Sequence, residues 1–254
     1  MPRIPLTLLL AVAPILASCD RQPTAPSVAR DDASSSASTA DPATLFAPRF
    51  SPDSFVRQVD NRFFPLVPGT RFIYVGEEDG ERVSNVTYVT TDRKRILGIS
   101  AIVVLDRLFD ADGALKEKTF DWYAQDTRGN VWYLGEDTEE LEDGKVVSTE
   151  GSWEAGVHGA RAGIIMPAHP TVGKQYRQEF LEGEAEDEAV IVDRGLDVSV
   201  PYGAFHNCVK TVEFTRLEPG IKEAKFYCPG VGVVKDRGVL GSDDRLVLKH
   251  LFQN

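Results

Sequence analysis

Long hydrophobic segments are missing from this sequence of 254 residues, and basic residues are fewer than acidic ones. The apolar run from Leu6 to Leu16 is too short to span a bilayer, which needs about 20 residues. With 42% hydrophobic and 26% charged residues, the composition resembles that of soluble globular proteins and excludes collagen-like, fully disordered and multi-span membrane classes. The net charge of -11 argues against nucleic acid and anionic membrane surfaces as partners.

Catalytic and metal-binding motifs are also missing. There is no G-x-S-x-G, S-x-x-K or H-E-x-x-H pattern, so no familiar hydrolase class is indicated. No two of the four histidines (His158, His169, His206 and His250) are spaced to bind a metal from one helix or strand. We therefore assign no catalytic residue, metal or cofactor and expect a protein that is not an enzyme. A carboxylate pair of the glycosidase type is kept as an alternative, because Asp and Glu are abundant.

Two acidic runs stand out, at residues 136–143 and 182–188. Their oxygen-rich side chains are the kind that Ca²⁺ prefers, but neither run has the spacing of an EF-hand loop. We interpret them as solvated hairpin tips, with a Ca²⁺ site as the alternative.

The N-terminus predicts export. Residues 1–18 combine Arg3, an apolar run and small residues, as a secretory signal peptide does. The next motif, Leu16-Ala17-Ser18-Cys19, resembles the lipobox of bacterial lipoproteins. That resemblance implies cleavage before Cys19 and attachment of lipid to it, so that membrane lipid is a partner through this anchor. The expected location is the bacterial cell envelope, facing the periplasm or the cell surface, with an ordinary signal peptide as the alternative.

Residues 19–48 are expected to form a tether between the lipidated cysteine and the domain. They are dominated by Ala, Ser, Thr, Pro and Asp, and such a segment cannot bury enough apolar surface to offset its chain entropy. A coil of this length spans about 30 Å. The globular domain is assigned to residues 49–254.

Cys208 and Cys228 form an even pair in a chain expected to be exported to an oxidising compartment. They lie in two strand-like runs separated by a turn at Pro219-Gly220, so antiparallel pairing would bring them together. A disulfide closing this loop would stabilise the fold by about 3 kcal/mol. A metal or redox pair is the alternative, although the C-x-x-C spacing is missing.

From residue 50 onward, side chains alternate with a period of two and turn dipeptides separate the runs. This pattern predicts a mostly β fold of about 11–12 antiparallel strands. We expect a single curled antiparallel sheet or open β-barrel, because so wide a sheet must curl or split. One or two short helices are predicted, over Ser51–Val59 and Glu182–Asp187.

Two segments carry a family resemblance. The run from Asp60 to Phe72 contains Asn-Arg-Phe-Phe-Pro-Leu-Val-Pro-Gly. The second segment, from Val200 to Lys235, contains Pro-Tyr-Gly-Ala-Phe, Cys208 and Tyr-Cys-Pro-Gly-Val-Gly-Val-Val-Lys. Both resemble motifs of uncharacterised bacterial secreted lipoproteins, whose domains are similar to the curled sheets of periplasmic lipoprotein carriers. The resemblance implies an architecture but no activity and no catalytic residues.

Aromatic residues cluster in the middle of the chain. Trp122, Tyr123, Trp132 and Trp153 lie on runs predicted to be strands, and alternation places Trp122 and Tyr123 on opposite faces. One residue from each adjacent pair, Trp122-Tyr123 and Trp132-Tyr133, would then face the inside of the curl, as a platform for a ligand. A simple packed core is the alternative interpretation.

The Gly-rich segment 155–173 is longer than most connections, and long ordered loops are often lids. We expect it, together with the N-terminal helical segment, to cover the concave face, with Ile165 and Met166 contacting a ligand. His158 and Glu179 would fix the orientation of that ligand. A packed crossover is the alternative.

These observations favour a lipoprotein that binds a small or lipid-like ligand in an aromatic-lined cavity without changing it. A scaffold of the cell envelope is the second hypothesis, and a metal- or carboxylate-dependent hydrolase is the third. The sequence does not determine the ligand or the oligomeric state.

Overall fold

Antiparallel strands make up most of the computed structural model, which describes residues 51–253. One turn of 3-10 helix, Pro52–Ser54, precedes the first strand. The strands are β1 Phe55–Val56, β2 Val59–Asn61, β3 Phe64–Leu66, β4 Arg71–Glu78, β5 Glu81–Ile96, β6 Ile99–Phe109, β7 Leu115–Asp126, β8 Val131–Glu142, β9 Lys145–Ser148, β10 Trp153–Glu154, β11 Arg161–Met166, β12 Gln175–Arg177, β13 Glu179–Phe180, β14 Asp187–Val200, β15 Gly203–Thr215, β16 Lys222–Cys228, β17 Gly232–Leu240 and β18 Arg245–Phe252.

Tight turns link the long strands. The β4–β5 hairpin turns at Asp79-Gly80, where both residues have positive φ (49° and 82°). Such backbone angles suit the two-residue turns whose twist matches that of paired strands, and Asp-Gly adopts them readily. The β8–β9 hairpin uses the same dipeptide at Asp143-Gly144, with φ of 49° and 71°.

The main sheet closes almost completely into a barrel. Its strands follow the order β12-β14-β15-β16-β17-β18-β4-β5-β6-β7-β8-β11-β13. β12 pairs with β14 and β13 pairs with β11, and only Gln178 separates β12 from β13. The N–H of Gln178 donates to the carbonyl oxygen of Asp187 at 2.8 Å. The run 175–180 therefore joins the two ends of the sheet.

The predicted fold class is confirmed, and 11 of the strands contain six residues or more. The remaining strands have two to four residues, too few for a period of two to be recognised in the sequence. β2 and β3 form a separate two-stranded hairpin.

The two predicted helices are wrong. Only Pro52–Ser54 is helical in the first segment, because the next residues pair with β7, with Phe55 opposite Asp126. In the second segment, Leu181 and Ala185 form an isolated antiparallel bridge around Gly183, whose φ is +75°. Three glutamates at alternate positions in 182–186 add like charges that disfavour a short helix.

The expectation that segment 155–173 covers the sheet is also wrong. β11 lies in this segment and pairs with β8, so it forms part of the barrel wall. A Cβ atom on Gly163 would lie 2.3 Å from the carbonyl carbon of Gln178. Glycine is needed at this position because the two backbones pass each other so closely.

The predicted disulfide is present. Cys208 on β15 and Cys228 on β16 are bonded, with their Cα atoms 4.3 Å apart. Both cysteines are buried in the hydrophobic core, so the bond links two neighbouring strands in a place shielded from solvent.

The signal peptide 1–18, the lipidated Cys19 and the tether lie outside the described residues. Within residues 51–253, every helix is too short or too polar to be a membrane-spanning segment.

Candidate ligand-binding site

The barrel encloses a small cavity walled mainly by aromatic and aliphatic side chains. Its volume is about 50 Å³, enough for a few water molecules at roughly 10–15 Å³ each. The residues around it are Phe64, Pro65, Leu66, Phe72, Tyr74, Thr87, Val104, Tyr123, Ile165, Lys225, Tyr227, Val231, Gly232 and Val233. We call this space the interior cavity.

The β2–β3 hairpin supplies one wall of the interior cavity. Phe64 of β3 points its ring at Tyr123, with ring centres 5.2 Å apart and an edge-on geometry, and at Tyr227, 6.4 Å away. Aromatic pairs at these distances stabilise packing by about 0.5–1.5 kcal/mol each. The N-terminal part of the domain therefore does cover the interior, but as a hairpin.

Side-chain hydrogen bonds fix the hairpin to the barrel. The backbone N–H groups of Asp60 and Asn61 donate to Oε1 of Gln125, at 2.9 and 2.8 Å. Nδ2 of Asn61 donates to the carbonyl oxygen of Gly129 at 2.8 Å, and the N–H of Gly230 donates to the carbonyl oxygen of Arg62 at 2.8 Å. The Asn-Arg-Phe-Phe-Pro-Leu motif is thus the cover of the interior cavity.

Lys225 is a charged residue in the wall of the interior cavity. Its side chain is 2% exposed, and its Nζ lies 2.9 Å from Oε2 of Glu213 and 4.0 Å from Oδ2 of Asp236. Burial alone lowers the pKa of Lys225, but Glu213, Asp236 and Glu223 outweigh burial and raise it above its usual value. The lysine therefore stays charged, and its charge is neutralised inside the barrel.

Glu213 is the opposite partner of this pair. Burial raises its pKa, but the Lys225 ammonium and hydrogen bonds from Lys225, Thr211 and Tyr227 lower the pKa below its ordinary value. The Tyr227 hydroxyl donates to Oε1 of Glu213 at 2.9 Å. A buried ion pair is tolerated when its remaining atoms are hydrogen-bonded in this way.

A cluster of further acidic side chains is buried in the sheet. Burial is the largest cause that raises the pKa of each, and like charges nearby add to it in most of them. The pKa of Glu117 rises to about 8 and those of Asp187 and Asp236 to about 7. We call this set the buried carboxyl cluster: Asp106, Glu117, Asp121, Glu136, Glu179, Asp187 and Asp236.

Protonation of this cluster follows from its surroundings. Tyr133 donates to Oδ1 of Asp121 at 2.7 Å. Glu179 is near Trp153 and the backbone of Asp187, but burial and the carboxyl groups of Asp187 and Asp121 outweigh these contacts and raise its pKa. An unpaired charge in such a place is costly, so the group binds a proton instead. Within residues 51–253, no three His, Cys, Asp or Glu side chains are arranged to hold a metal ion.

A second, more open pocket lies on the other side of β7. Its volume is 340 Å³, and Trp122, Trp153 and His158 line it together with Lys94, Glu136, Asp137, Ser152, Glu154, Val157 and Leu181. We call it the outer pocket. Nζ of Lys94 lies 3.2 Å from the centre of the Trp122 ring and 2.8 Å from Oε2 of Glu154. The face of Trp122 is therefore already covered by the protein's own ammonium group.

The eight predicted ligand contacts divide between these places. Tyr123 and Ile165 line the interior cavity, and Trp122, Trp153 and His158 line the outer pocket. Met166 and Glu179 are fully buried without lining either one. Trp132 is half-buried, and its indole N–H donates to Oδ2 of Asp126 at 3.0 Å. The structure therefore does not assemble the eight residues into one site.

A row of aromatic rings runs between the two pockets. Tyr123 stacks on Tyr133 with ring centres 4.9 Å apart, and Tyr133 meets Trp153 edge-on at 5.3 Å. Together with Phe64, these rings form a packed line from the interior cavity to the outer pocket. Trp122 lines the outer pocket, whereas its neighbour Tyr123 lines the interior cavity.

Sequence reasoning missed Phe64, Tyr227 and Lys225. Phe64 and Tyr227 lie inside the two family-like motifs, which were interpreted only as signs of architecture. Lys225 stands in the alternating run Lys-Glu-Ala-Lys-Phe-Tyr-Cys, where a lysine is usually expected to face solvent. The available signal was that Lys225 lies two residues before Tyr227 and therefore shares a strand face with this aromatic residue.

Comparisons with known proteins find partial structural similarity. No protein-family model matches the chain. No curated protein matches it. A solved structure from Bacteroides fragilis NCTC 9343, described as an exported protein with a YmcC-like fold, is 16% identical with a TM-score of 0.45; the match covers 76% of this chain and 100% of that one. A protein from Parabacteroides distasonis ATCC 8503, described as a lipoprotein, is 12% identical with a TM-score of 0.42, over 76% of this chain and 99% of the other. Likenesses at this level identify neither a ligand nor a reaction.

Proposed function

We propose that this protein is an exported lipoprotein, anchored through Cys19, whose barrel binds a small apolar or lipid-like ligand in the interior cavity without changing it chemically. The observation that carries the proposal is the lining of the cavity: five aromatic rings (Phe64, Phe72, Tyr74, Tyr123 and Tyr227) surround one small space. Ligand pockets are typically lined by apolar and aromatic side chains with a few polar groups.

Entry of a ligand requires movement of the β2–β3 hairpin. Typical ligand pockets measure roughly 300–1,000 Å³, which is much more than the cavity volume of about 50 Å³. Withdrawal of Phe64 and Leu66 enlarges this volume. An isolated two-stranded hairpin is marginally stable by itself. This one is held by hydrogen bonds to Gln125, Gly129 and Gly230 and by burial of Val59 and Leu66 in the core. We assign the hairpin the role of a displaceable cover.

The interior cavity is favoured over the outer pocket because of how the outer pocket is occupied. Lys94 covers the Trp122 ring and is held there by Glu154. A ligand that stacked on Trp122 would have to displace this ion pair. Movement of the hairpin, in contrast, removes the contacts of Phe64 with Tyr123 and Tyr227 and leaves the Lys225–Glu213 ion pair in place.

The proposal is tested by purifying the protein from its host and measuring its mass under native conditions. We expect an added mass that is released by organic extraction. In a second measurement, a neutral naphthylamine dye is titrated against the wild type and Phe64→Ala. We expect the variant to bind the dye more tightly, because the removed ring leaves space beside Tyr123.

Phe252→Ala is the matched control, because Phe252 is exposed on β18. Val104→Phe should weaken dye binding by filling the interior cavity from the opposite wall. Equal dye affinity in the wild type, Phe64→Ala and Val104→Phe would place the dye elsewhere and overturn the interior cavity as the binding site.

A further inference from the structure

The polar groups around the interior cavity differ in whether they have partners. The Tyr74 hydroxyl donates to the carbonyl oxygen of Val233 at 2.9 Å, and the Thr87 hydroxyl donates to Oδ2 of Asp106 at 2.6 Å. The Tyr227 hydroxyl and the Lys225 ammonium both contact Glu213. These donors are committed to protein acceptors and are not free to bind a ligand.

Tyr123 is different. Its side chain is completely buried and lines the interior cavity, but its hydroxyl has no hydrogen-bond partner within the described residues. Burial, followed by the nearby carboxyl groups of Asp121 and Glu136, raises the pKa of Tyr123 well above its usual value. The hydroxyl therefore keeps its proton and is a donor in need of an acceptor.

An anionic ligand would find no free positive charge among the described residues that line this cavity. Among the described residues that line the cavity, Lys225 is the cation, and the Glu213 carboxylate at 2.9 Å already neutralises its charge. Asp106 lies just behind Thr87. A carboxylate brought into this space would lose its hydration and gain no unpaired cation in return.

On the premise that the interior cavity is the binding site, we propose that its ligand is an uncharged molecule with an apolar body and one carbonyl oxygen, which accepts a hydrogen bond from Tyr123. The carbonyl satisfies the free donor, and the aromatic walls hold the apolar body. Fatty-acid-like anions are excluded because the Glu213 carboxylate already neutralises Lys225.

Three six-carbon probes test this inference at pH 8, where hexanoate is ionised: 2-hexanone, hexane and hexanoate. Their dissociation constants are measured by NMR titration of the full chain, in the wild type and in Phe64→Leu, which widens the space under the hairpin. We expect 2-hexanone and hexane to bind and hexanoate to bind at least about tenfold more weakly than the ketone, since its charge is not compensated.

The Tyr123→Phe variant isolates the hydrogen bond. It should weaken binding of 2-hexanone about fivefold, as expected for loss of one neutral hydrogen bond, and leave hexane unchanged. Tyr202→Phe is the matched control, because Tyr202 is 43% exposed and lies outside the cavity wall.

The outcomes separate the two proposals. If none of the three probes binds in either background, the interior cavity is not a binding site and the proposed function falls with the inference. If hexane and 2-hexanone bind but Tyr123→Phe weakens neither, or if hexanoate binds as tightly as the ketone, the assigned ligand chemistry is wrong while the binding function stands.

Discussion

Lys225 and Glu213 form an ion pair inside the barrel, with Nζ 2.9 Å from Oε2 and side chains only 2% and 3% exposed. Two such groups are stable together because each neutralises the other where burial has removed most of their hydration. Removing one partner leaves the other as an unpaired buried charge, which costs about 3–5 kcal/mol. We therefore expect Lys225→Met to lower the free energy of unfolding by about this amount in urea denaturation at pH 7.

The double variant Lys225→Met/Glu213→Gln serves as the control. It removes both charges, so it should recover much of the stability lost in the single variant. A Lys225→Met protein within about 1 kcal/mol of the wild type would show that the pair is unimportant or that water replaces it.

The buried carboxyl cluster makes stability depend on pH. The pKa of Glu117 rises from 4.5 to about 8 in the folded protein, and those of Asp187 and Asp236 rise from 3.8 to about 7. The folded state thus holds more protons than the unfolded chain between pH 4 and pH 8. The stability that these three carboxyl groups contribute is complete below their pKa values in the unfolded chain. It is lost as the pH rises through their pKa values in the folded protein.

We expect the unfolding equilibrium constant, measured in urea, to be more than about tenfold smaller at pH 5 than at pH 8. Glu213 has a lowered pKa, so its contribution is complete above its unfolded value and does not alter this slope. Glu117→Gln should reduce the pH dependence, whereas Glu142→Gln, at an exposed position, should not. A protein equally stable at pH 5 and pH 8 would contradict this prediction.

Two stacked tyrosines should respond differently to loss of the hydroxyl. Tyr133 donates to Asp121 at 2.7 Å, whereas the hydroxyl of Tyr123 has no partner. Tyr133→Phe should lower the free energy of unfolding by about 1–3 kcal/mol, because Asp121 loses a hydrogen bond in a buried place. Tyr123→Phe should leave stability unchanged or raise it. A loss of stability in both variants to the same extent would mean that Tyr123 also has an acceptor in solution.

Gly163 controls closure of the barrel. A Cβ atom there would lie 2.4 Å from the carbonyl oxygen of Gln178 and 2.6 Å from that of Arg177. Gly163→Ala should therefore push β11 away from the run 175–180 and cost about 1–3 kcal/mol. Gly203→Ala is the control, since a Cβ at Gly203 meets nothing within 4 Å. Equal thermal stability of the two variants would show that the contact between β11 and the run 175–180 adapts without strain.

The architecture was predictable from the sequence because long strands give a clear signal. The 11 strands of six or more residues alternate over enough positions to be recognised, and the Asp-Gly dipeptides mark their turns. The pairing of Cys208 with Cys228 followed from the same antiparallel pattern. Local sequence patterns were sufficient to predict these features.

The site was less predictable because its residues lie far apart in the sequence and come together only when the sheet closes into a barrel. Phe64, Tyr123 and Lys225 come from β3, β7 and β16, and nothing in the spacing of these strands indicates that they share a cavity. The helix predicted at Ser51–Val59 failed for a related reason, since pairing of Phe55 with Asp126 outweighs local preference. Glu179 was predicted to face a ligand, but β13 places it in the buried carboxyl cluster.

The run 175–180 has a further consequence for a protein that shares a crowded compartment with many others. An open sheet of this width would present two rows of unpaired N–H and C=O groups, which recruit strands from neighbouring molecules. Here β12 occupies the row along β14 and β13 occupies part of the row along β11. Six residues thus protect the chain against edge-to-edge aggregation at both margins of its main sheet.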